Sequence, residues 1–206
     1  MSKLAITAAL VVCHLTFGAA NACEGKNVLF EDQFQDDSGG WSITEDRTEI
    51  KDGGLRITPR LNTSYTEDNP GFYFDDADIC ADIVLETSDD GNWGALVFWF
   101  EDYDNYFIFQ ITPKGFYDIQ RKFKGNWTRL IADAQSPAIK KEAGAANTVR
   151  VTVKGNLLTF YINGEKVRQL RGQAPKQQWR FGFMSGSPKE KRTTTVFKNV
   201  KITDVP

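Results

Sequence analysis

Short runs of alternating apolar residues, separated by tight-turn signals, recur from residue 28 almost to the end of the chain. Asn163-Gly164 stands between two such runs, and Asn-Gly is the strongest short hairpin signal because both residues tolerate positive φ. Comparable turn signals lie at Asp52–Gly54, Pro113–Gly115, Lys124–Asn126 and Lys154–Asn156. Roughly twelve to fourteen strands at this spacing predict an all-β fold, an antiparallel two-sheet β-sandwich. In such a sandwich we expect one sheet to be bent, with a concave outer surface.

The alternation also predicts which residues form the core. Side chains at every second strand position share a face, so a row that is entirely apolar belongs between the sheets. Three such rows are Val149, Val151 and Val153; Leu158, Phe160 and Ile162; and Phe107, Phe109 and Ile111. On the same strands, Arg150 and Tyr161 then face away from the core, as do Tyr106 and Gln110.

The strand predicted at residues 93–101 is apolar on both faces, unlike a strand that has one face in water. By simple alternation, one face carries Leu96, Phe98 and Phe100 and the other carries Ala95, Val97 and Trp99. One face meets the core. The other face either forms the floor of a groove or is covered by a loop, and both alternatives stay open. Because Trp is less often fully buried than Phe, we expect Trp99 to face the groove beside Tyr106.

The beginning of the chain has the features of a secretory signal peptide. Lys3 precedes an apolar run from Leu4 to Phe17, and Ala20-Asn21-Ala22 is an A-x-A cleavage site. The run is too short to span a bilayer, and no later segment is apolar enough to do so. We therefore expect residues 1–22 to be removed and residues 23–206 to form a single exported domain, periplasmic or extracellular. The alternatives are an uncleaved N-terminal membrane anchor and a buried helix.

Charge and histidine content exclude several classes of function. The chain has 25 basic and 27 acidic residues, and this mild acidity argues against nucleic acid as a partner. Its single histidine, His14, lies within the predicted signal peptide. The exported domain would then contain no Ser-His-Asp or Cys-His catalytic group and no histidine-ligated metal site.

Two of the three cysteines, Cys23 and Cys80, would remain after cleavage. In an oxidising compartment a disulfide between them is the expected state. The alternative is a lipoprotein in which Cys23, as the first mature residue, is acylated. Lipoprotein signals usually place Leu three residues before the cysteine, and Ala20 occupies that position here.

Three stretches carry a resemblance to a known superfamily. They read NWGALVFWFEDYDNYFIFQITPKGFYDIQR from Asn92 to Arg121, NTVRVTVKGNLLTFYINGEKV from Asn147 to Val167, and FGFMS from Phe181 to Ser185. This pattern is similar to the laminin-G-like jelly roll of the concanavalin A-like lectin/glucanase superfamily. The fold hosts lectins, carbohydrate-binding modules, glycosidases and adhesion domains, so the resemblance is specific for fold rather than for function.

The acidic residues do not follow a known catalytic spacing. Laminarinase-type glycosidases of that superfamily carry E-x-D-x-x-E on a concave strand, which places two carboxylates about 5 Å apart around the glycosidic bond. No such motif occurs here, and Glu101, Asp102 and Asp104 fall on a predicted hairpin turn. The chain also resembles bacterial 3-keto-disaccharide hydrolase domains in length, export signal and strand order. It reads NWGALVFW where those domains tend to show N-S-G-(I/L)-x-x-R.

We therefore predict a non-catalytic domain that binds a polysaccharide or oligosaccharide on the concave sheet face. Sugar rings stack on Trp and Tyr, while amide and charged groups bond the hydroxyls. The candidate ligand-binding residues are Trp99, Tyr106, Gln110, Arg150 and Tyr161 on the floor, with Trp93 and Trp127 on the rim. The alternatives are a glycoside hydrolase or lyase of the 3-keto-disaccharide hydrolase type, and a structural envelope or protein-interaction module.

No cofactor is expected, and we expect a monomer. Many sandwiches of this type hold a structural Ca²⁺ through carboxylates near the paired terminal strands. Glu31, Asp32 and Asp204 would supply oxygens for such an ion. Exposed acids at strand ends are also common without any metal, so a calcium site is one alternative of two.

Overall fold

A computed structural model describes residues 23–206, which form two stacked antiparallel sheets. The predicted signal peptide, residues 1–22, lies outside the described residues. The strands are β1 (Val28–Asp32), β2 (Thr48–Ile50), β3 (Leu55–Ile57), β4 (Ser64–Asp68), β5 (Ala77–Leu85), β6 (Trp93–Asp102), β7 (Asn105–Ile111), β8 (Phe116–Phe123), β9 (Asn126–Gln135), β10 (Ala146–Lys154), β11 (Leu157–Ile162), β12 (Glu165–Arg171), β13 (Arg180–Gly186) and β14 (Thr195–Thr203).

The two sheets follow from local hairpins and from the pairing of the chain ends. The eight-stranded sheet runs β12-β11-β10-β5-β14-β3-β2, and β1 pairs with β14. The six-stranded sheet runs β4-β13-β6-β7-β8-β9, in which β6 to β9 form a meander of consecutive hairpins. The sequence-based prediction of an all-β, two-sheet antiparallel sandwich is confirmed.

The three apolar rows predicted for the core lie between the sheets. The rows on β10, β11 and β7 are buried and belong to one hydrophobic cluster. Phe109 of the six-stranded sheet contacts Phe160 of the eight-stranded sheet edge-on, with 5.1 Å between ring centroids. Burial of these side chains from both sheets supplies the main stabilisation of the sandwich.

Strand β6 departs from simple alternation at Trp99. Its φ is +48°, and the register with β7 shifts between Phe98 and Asp102. As a result Phe98 and Trp99 both face the core, and Phe100 turns to the outer face. The prediction that Trp99 lies on the outer face beside Tyr106 is therefore wrong, because a β-bulge reverses the parity of the residues that follow it. Trp99 is only 1% exposed.

Two other segments depart from the alternating pattern. Residues 71–74 are largely aromatic but form no strand, and they make only an isolated bridge between Phe74 and Trp179. The edge strand of the six-stranded sheet is instead β4, whose polar sequence SYTED lacks the apolar alternation of a strand. Strand β9 continues to Gln135, and an irregular segment connects it to β10.

The disulfide between Cys23 and Cys80 is present, as predicted. It ties the start of the described chain to β5 and closes a loop with a sequence separation of 57. A loop of this size stabilises the fold by roughly 4 kcal/mol in the chain-entropy estimate. The sulfur of Cys23 is engaged in this bond, so acylation at the same atom would require its loss. Within residues 23–206, no helix has the length and apolar character that crossing a membrane requires.

Candidate functional site

A cavity of about 350 Å³ lies on the outer face of the six-stranded sheet. Its lining consists of Ser64, Tyr65, Thr66, Tyr103, Tyr106, Lys122, Trp127 and Met184. These residues come from both edge strands, β4 and β9, and from strands between them. On a flat sheet, strands five spacings apart would be separated by roughly 24 Å. Their meeting around one cavity shows that this outer face is concave.

A row of stacked side chains crosses the concave face near the β6–β7 turn. Phe100 stacks on Tyr106, with ring centroids 5.5 Å apart, and Tyr106 meets Trp127 edge-on at 5.4 Å. The Lys122 ammonium lies 5.7 Å from the centre of the Tyr106 ring. Tyr106 itself is 4% exposed, whereas Trp127 is 43% exposed. Trp127 therefore offers the open aromatic surface, and Tyr106 supports it from the floor.

Tyr103 forms a wall of the cavity from the β6–β7 turn. Its hydroxyl donates a 2.9 Å hydrogen bond to Asp68 on β4, and its ring packs edge-on against Phe100. The ammonium of Lys122 donates a 2.8 Å hydrogen bond to the Tyr103 carbonyl. Burial of the hydroxyl, together with its bond to Asp68, raises the pKa of Tyr103. The hydroxyl therefore stays protonated and holds the wall at every physiological pH.

The buried carboxyl of Glu67 lies behind Tyr65, on the same edge strand as Asp68. It accepts a 2.7 Å hydrogen bond from the Ser42 amide and a 3.4 Å hydrogen bond from the hydroxyl of Tyr65, which lines the cavity. Burial is the main cause that raises the pKa of Glu67 to about 7, and the neighbouring Asp68 adds to it. The carboxyl therefore changes charge near neutral pH, directly behind a cavity-lining tyrosine.

The structure brings together only part of the residue set predicted from the sequence. Tyr106 and Trp127 both line the cavity. Gln110 lies on the same sheet face but outside the cavity, buried and bonded to Asp118 at 3.3 Å. Trp93 also lies on this sheet face, packed over Gly186 and against the side chains of the outer apolar cluster.

Arg150 and Tyr161 lie on the other sheet, so the prediction that they share a floor with Tyr106 is wrong. They do face away from the core, and the Arg150 guanidinium lies 4.6 Å from the centre of the Tyr161 ring. Arg150 forms ion pairs with Asp78 and Glu24, both at 2.7 Å. Alternation correctly predicted their face but could not tell which of the two sheets their strands join.

Within the described residues, the outer face carries no acid on β13, on β7 or on β6 between Trp93 and Phe100, and Glu101, Asp102 and Asp104 lie where β6 turns into β7. The outward side chains of these stretches are Arg180, Met184, Trp93, Ala95, Val97, Phe100, Tyr106, Ile108 and Gln110. The flanking acids, Asp68 on β4 and Asp118 on β8, are four strand spacings apart, roughly 19 Å along the sheet. Glycoside hydrolysis uses two carboxyl groups about 5–9.5 Å apart.

Each of these flanking acids is also engaged by an arginine. Asp68 lies 2.7 Å from Arg180, and Asp118 accepts a 2.8 Å hydrogen bond from Arg129. Asp118 accepts a further hydrogen bond from the Asp133 amide. Both carboxylates are thus bonded to groups of the protein itself.

The acids predicted as calcium ligands serve local hydrogen bonds. Asp32 accepts from the Phe34 amide at 2.7 Å and from the Trp41 indole at 2.8 Å. Asp204 accepts from the amide and the side chain of Asn27. Glu31 pairs with Lys201 in the strand register and accepts a side-chain hydrogen bond at 3.1 Å. Within residues 23–206, these three acids do not form a close cluster of ligand atoms.

A second cavity, of about 450 Å³, lies at the edge of the eight-stranded sheet. Its lining is Asp46, Arg47, Thr48, Glu49, Arg56, Thr58 and Arg192. Arg56 forms ion pairs with Glu49 and Glu86 at 3.0 and 2.6 Å. Arg192 donates hydrogen bonds to backbone carbonyls, including that of Pro59. Two of its three arginines, Arg56 and Arg192, are thus engaged in ion pairs or hydrogen bonds within the protein. The lining of this cavity contains no aromatic residue.

Solved structures with the same fold include carbohydrate-active proteins. The chain aligns over 80% of its length with 96% of a carbohydrate binding module, CBM66 from Bacillus subtilis, at 17% identity and a TM-score of 0.66. A GH16 protein of the Bacteroides ovatus mixed linkage glucan locus, solved with a G4G4G3G product, aligns over 85% of this chain and 100% of its own, at 14% identity and a TM-score of 0.64. The catalytic domain of an endo-1,3-beta-glucanase (laminarinase) from Thermotoga petrophila RKU-1 aligns over 87% of this chain and 98% of its own, at 11% identity and a TM-score of 0.63.

These likenesses concern the fold. No protein-family model matches the chain, and no curated protein matches it by sequence. The two-sheet jelly-roll fold predicted from the sequence is the fold of these solved structures.

Several cavity residues were missed by the sequence analysis. Tyr65 and Thr66 lie on β4, which has no apolar alternation to mark it as a strand. Tyr103 stands in the turn sequence DYD, where its neighbours indicate only a hairpin. Lys122 carries no motif at all. The one usable signal was the unusual Tyr within an otherwise acidic turn, since turns favour small polar residues.

Proposed function

We propose that this protein is a non-catalytic glycan-binding domain that holds a sugar in the cavity of the concave face. The observation that carries the proposal is the cavity itself, in which the open ring of Trp127 meets Tyr106 edge-on and Tyr103 contributes to the same lining. Sugar rings present C–H faces that pack on aromatic rings, and the hydroxyls of Ser64 and Thr66 provide donors and acceptors. A volume of about 350 Å³ lies at the small end of ligand sites.

The fold and the disulfide support this proposal from two directions. The structures of like fold include a carbohydrate binding module and glucan-acting enzymes, so the architecture is one on which glycan sites are built. A disulfide such as the one between Cys23 and Cys80 is typical of exported proteins. Structural polysaccharides occur in the same compartments, outside the cytoplasm. We propose export to the periplasm or the medium, with cleavage after Ala22.

A glycoside hydrolase on the same face is the second candidate, and it rests on the enzymes among the structures of like fold. The separation of Asp68 and Asp118, each engaged by an arginine, favours binding over hydrolysis. A structural or protein-interaction module is the third. It would not need an open aromatic ring in a cavity with hydroxyls around it.

Isothermal titration calorimetry of the exported protein against a panel of oligosaccharides and soluble polysaccharides tests the proposal. We expect at least one glycan to bind. Trp127→Ala should weaken its binding by about 1–2 kcal/mol, the scale of one stacking contact and its buried area. Tyr161→Ala is the matched control, an aromatic residue on the outer face of the other sheet, and should leave the affinity unchanged.

Three results would contradict the proposal. If no glycan in the panel binds, the proposed function is wrong. A loss of affinity in Tyr161→Ala but not in Trp127→Ala would move the site to the other sheet. Release of reducing ends during incubation, abolished by substitution of one acid, would make the protein an enzyme.

A further inference from the structure

We infer that the cavity selects an uncharged sugar and discriminates against anionic glycans such as uronates and sulfated polysaccharides. The inference rests on the glycan-binding function proposed above and names the class of ligand. It follows from the partners of the two cations on the aromatic row, Lys122 and Arg180. Each is held against a carboxylate of the protein itself.

Lys122 is the cation that lines the cavity. Its ammonium donates to the Tyr103 carbonyl at 2.8 Å and lies 3.5 Å from the Asp104 carboxylate. It also lies over the face of the Tyr106 ring. A lysine has three donors, and these contacts place a carbonyl, a carboxylate and an aromatic face around them. The ammonium thus supports the wall and floor of the cavity, with its charge already matched.

Arg180 stands at the other end of the row. It lies 2.7 Å from Asp68 and 4.9 Å from the centre of the Phe100 ring, and it donates to the Glu101 carbonyl at 3.3 Å. The other carboxylate oxygen of Asp68 accepts the Tyr103 hydroxyl. Arg180 and Asp68 therefore form an internal pair that holds the wall, and Arg180 is not left to bind an anion.

The charges on the aromatic row therefore cancel, and the Glu67 carboxyl behind Tyr65 adds only negative charge when it is ionised. Two cations, Lys122 and Arg180, face two carboxylates, Asp104 and Asp68. An anionic sugar would lose water on entering the cavity without gaining an unmatched cation, which is unfavourable. A neutral sugar needs only hydroxyl partners and an aromatic face, and Ser64, Thr66 and Trp127 provide those.

Basic residues elsewhere near the row do not alter this balance. Arg121 and Lys124 both lie over the exposed Phe123, outside the cavity lining, and Arg121 donates to Gln173 at 2.7 Å. Arg47 lies 5.1 Å from the centre of the Tyr65 ring and lines the cavity at the edge of the other sheet. None of the three lines the concave-face cavity.

The test compares matched neutral and anionic polymers, dextran against dextran sulfate and xylan against glucuronoxylan, added to the neutral glycan panel. Binding is measured by calorimetry at about 0.02 M and 0.5 M NaCl, where screening lengths differ several-fold. We expect the neutral ligand to bind with affinities that agree within about twofold between the two salts. Anionic polymers should bind more weakly than their neutral counterparts.

Asp104→Asn sharpens the test because it removes the carboxylate partner of Lys122 while keeping the size of the side chain. The variant should bind the neutral ligand as the parent does. Its affinity for anionic polymers at low salt should rise severalfold, since the freed ammonium becomes available. Asp89→Asn, outside the cavity lining and paired with Lys191, makes the same change in net charge and should show no such gain.

The outcomes separate this inference from the function beneath it. Tighter, salt-sensitive binding of anionic polymers by the parent protein would overturn the inference and leave glycan binding in place. Equal binding of both classes, or an Asp104→Asn variant that gains nothing, would also overturn it. If neither class binds at any salt, the proposed function itself fails.

Discussion

Phe100 stacks on Tyr106 with the two ring planes 30° apart, although simple alternation assigns Phe100 to the core. The β-bulge at Trp99 produces this contact, because it sends Phe98 and Trp99 to the same side and leaves Phe100 outside. The bulge has a cost, since a bulky residue at positive φ is strained. In this position the Phe100 ring supports Tyr106 on the cavity floor. A bulge beside a functional face is a common way to re-aim a side chain.

The first prediction concerns Trp99 and its partner on the same strand, Trp93. Trp99→Ala should reduce the free energy of unfolding by about 3–5 kcal/mol, because it empties a large, fully buried site between the sheets. Trp93→Ala is the matched control on the outer face and should cost about 1–2 kcal/mol, because Trp93 is only partly buried. Urea unfolding measures both. Equal costs would show that Trp99 does not occupy the core.

The second prediction concerns the Tyr103 wall. Tyr103→Phe keeps the ring against Phe100 but removes the hydrogen bond to Asp68. We expect a loss of about 1.5–3 kcal/mol in stability, the usual range for a bond to a charged acceptor, and a weaker glycan affinity because the wall loosens. Thermal unfolding and calorimetry measure the two effects. Tyr73→Phe, at an exposed tyrosine, should change neither.

Much of the fold could be predicted because most strands follow one rule. Apolar and polar residues alternate along each strand, and a recognisable turn sequence marks where the strand ends. It correctly assigned Val151, Phe160 and Phe109 to the core. It failed where the backbone itself departs from the rule. At Trp99 the bulge inverts the parity, and nothing in WFE signals a positive φ at a tryptophan. At β4 the edge position permits a polar strand, because only one of its sides is paired within the sheet.

The candidate site was less predictable because it depends on which strands become neighbours. Tyr106 and Trp127 were identified individually, and both line the cavity. Tyr65 and Tyr103 reach the same cavity from an edge strand and from a turn that are far apart in sequence. Arg150 shows the converse error, since its outward direction was correct and its sheet was not. Direction follows from the local sequence, whereas sheet membership follows from long-range pairing.

The third prediction concerns Arg150 and its buried partner. Asp78 is fully buried beside Arg150, so Arg150→Met leaves a carboxylate without its cation. We expect a loss of about 3–5 kcal/mol in stability with unchanged glycan affinity, because the pair lies on the sheet opposite the cavity. Lys191→Met removes one member of an exposed pair and should cost less than about 0.5 kcal/mol. A loss of glycan affinity in Arg150→Met, with stability retained, would restore Arg150 to the binding site.

The fourth prediction concerns the dependence of stability on pH. Burial raises the pKa of Glu67 from its ordinary value of 4.5 to about 7 in the folded protein. Between these two values the folded state holds a proton that the unfolded state releases, so stability falls as pH rises. The contribution is fully present below pH 4.5 and is lost as the pH passes about 7. The difference between the two pKa values corresponds to about 3 kcal/mol at most.

Urea unfolding at about pH 5 and pH 8 measures this change, since the window spans the folded and unfolded pKa values. The wild-type protein should be more stable at the lower pH. Glu67→Gln provides the control, because the amide keeps an oxygen for the Ser42 amide at the position of the present 2.7 Å hydrogen bond but has no proton to lose. In that variant the difference between the two pH values should nearly vanish. If the same difference persists in Glu67→Gln, another group is responsible, and the carboxyl behind Tyr65 does not titrate near neutral pH.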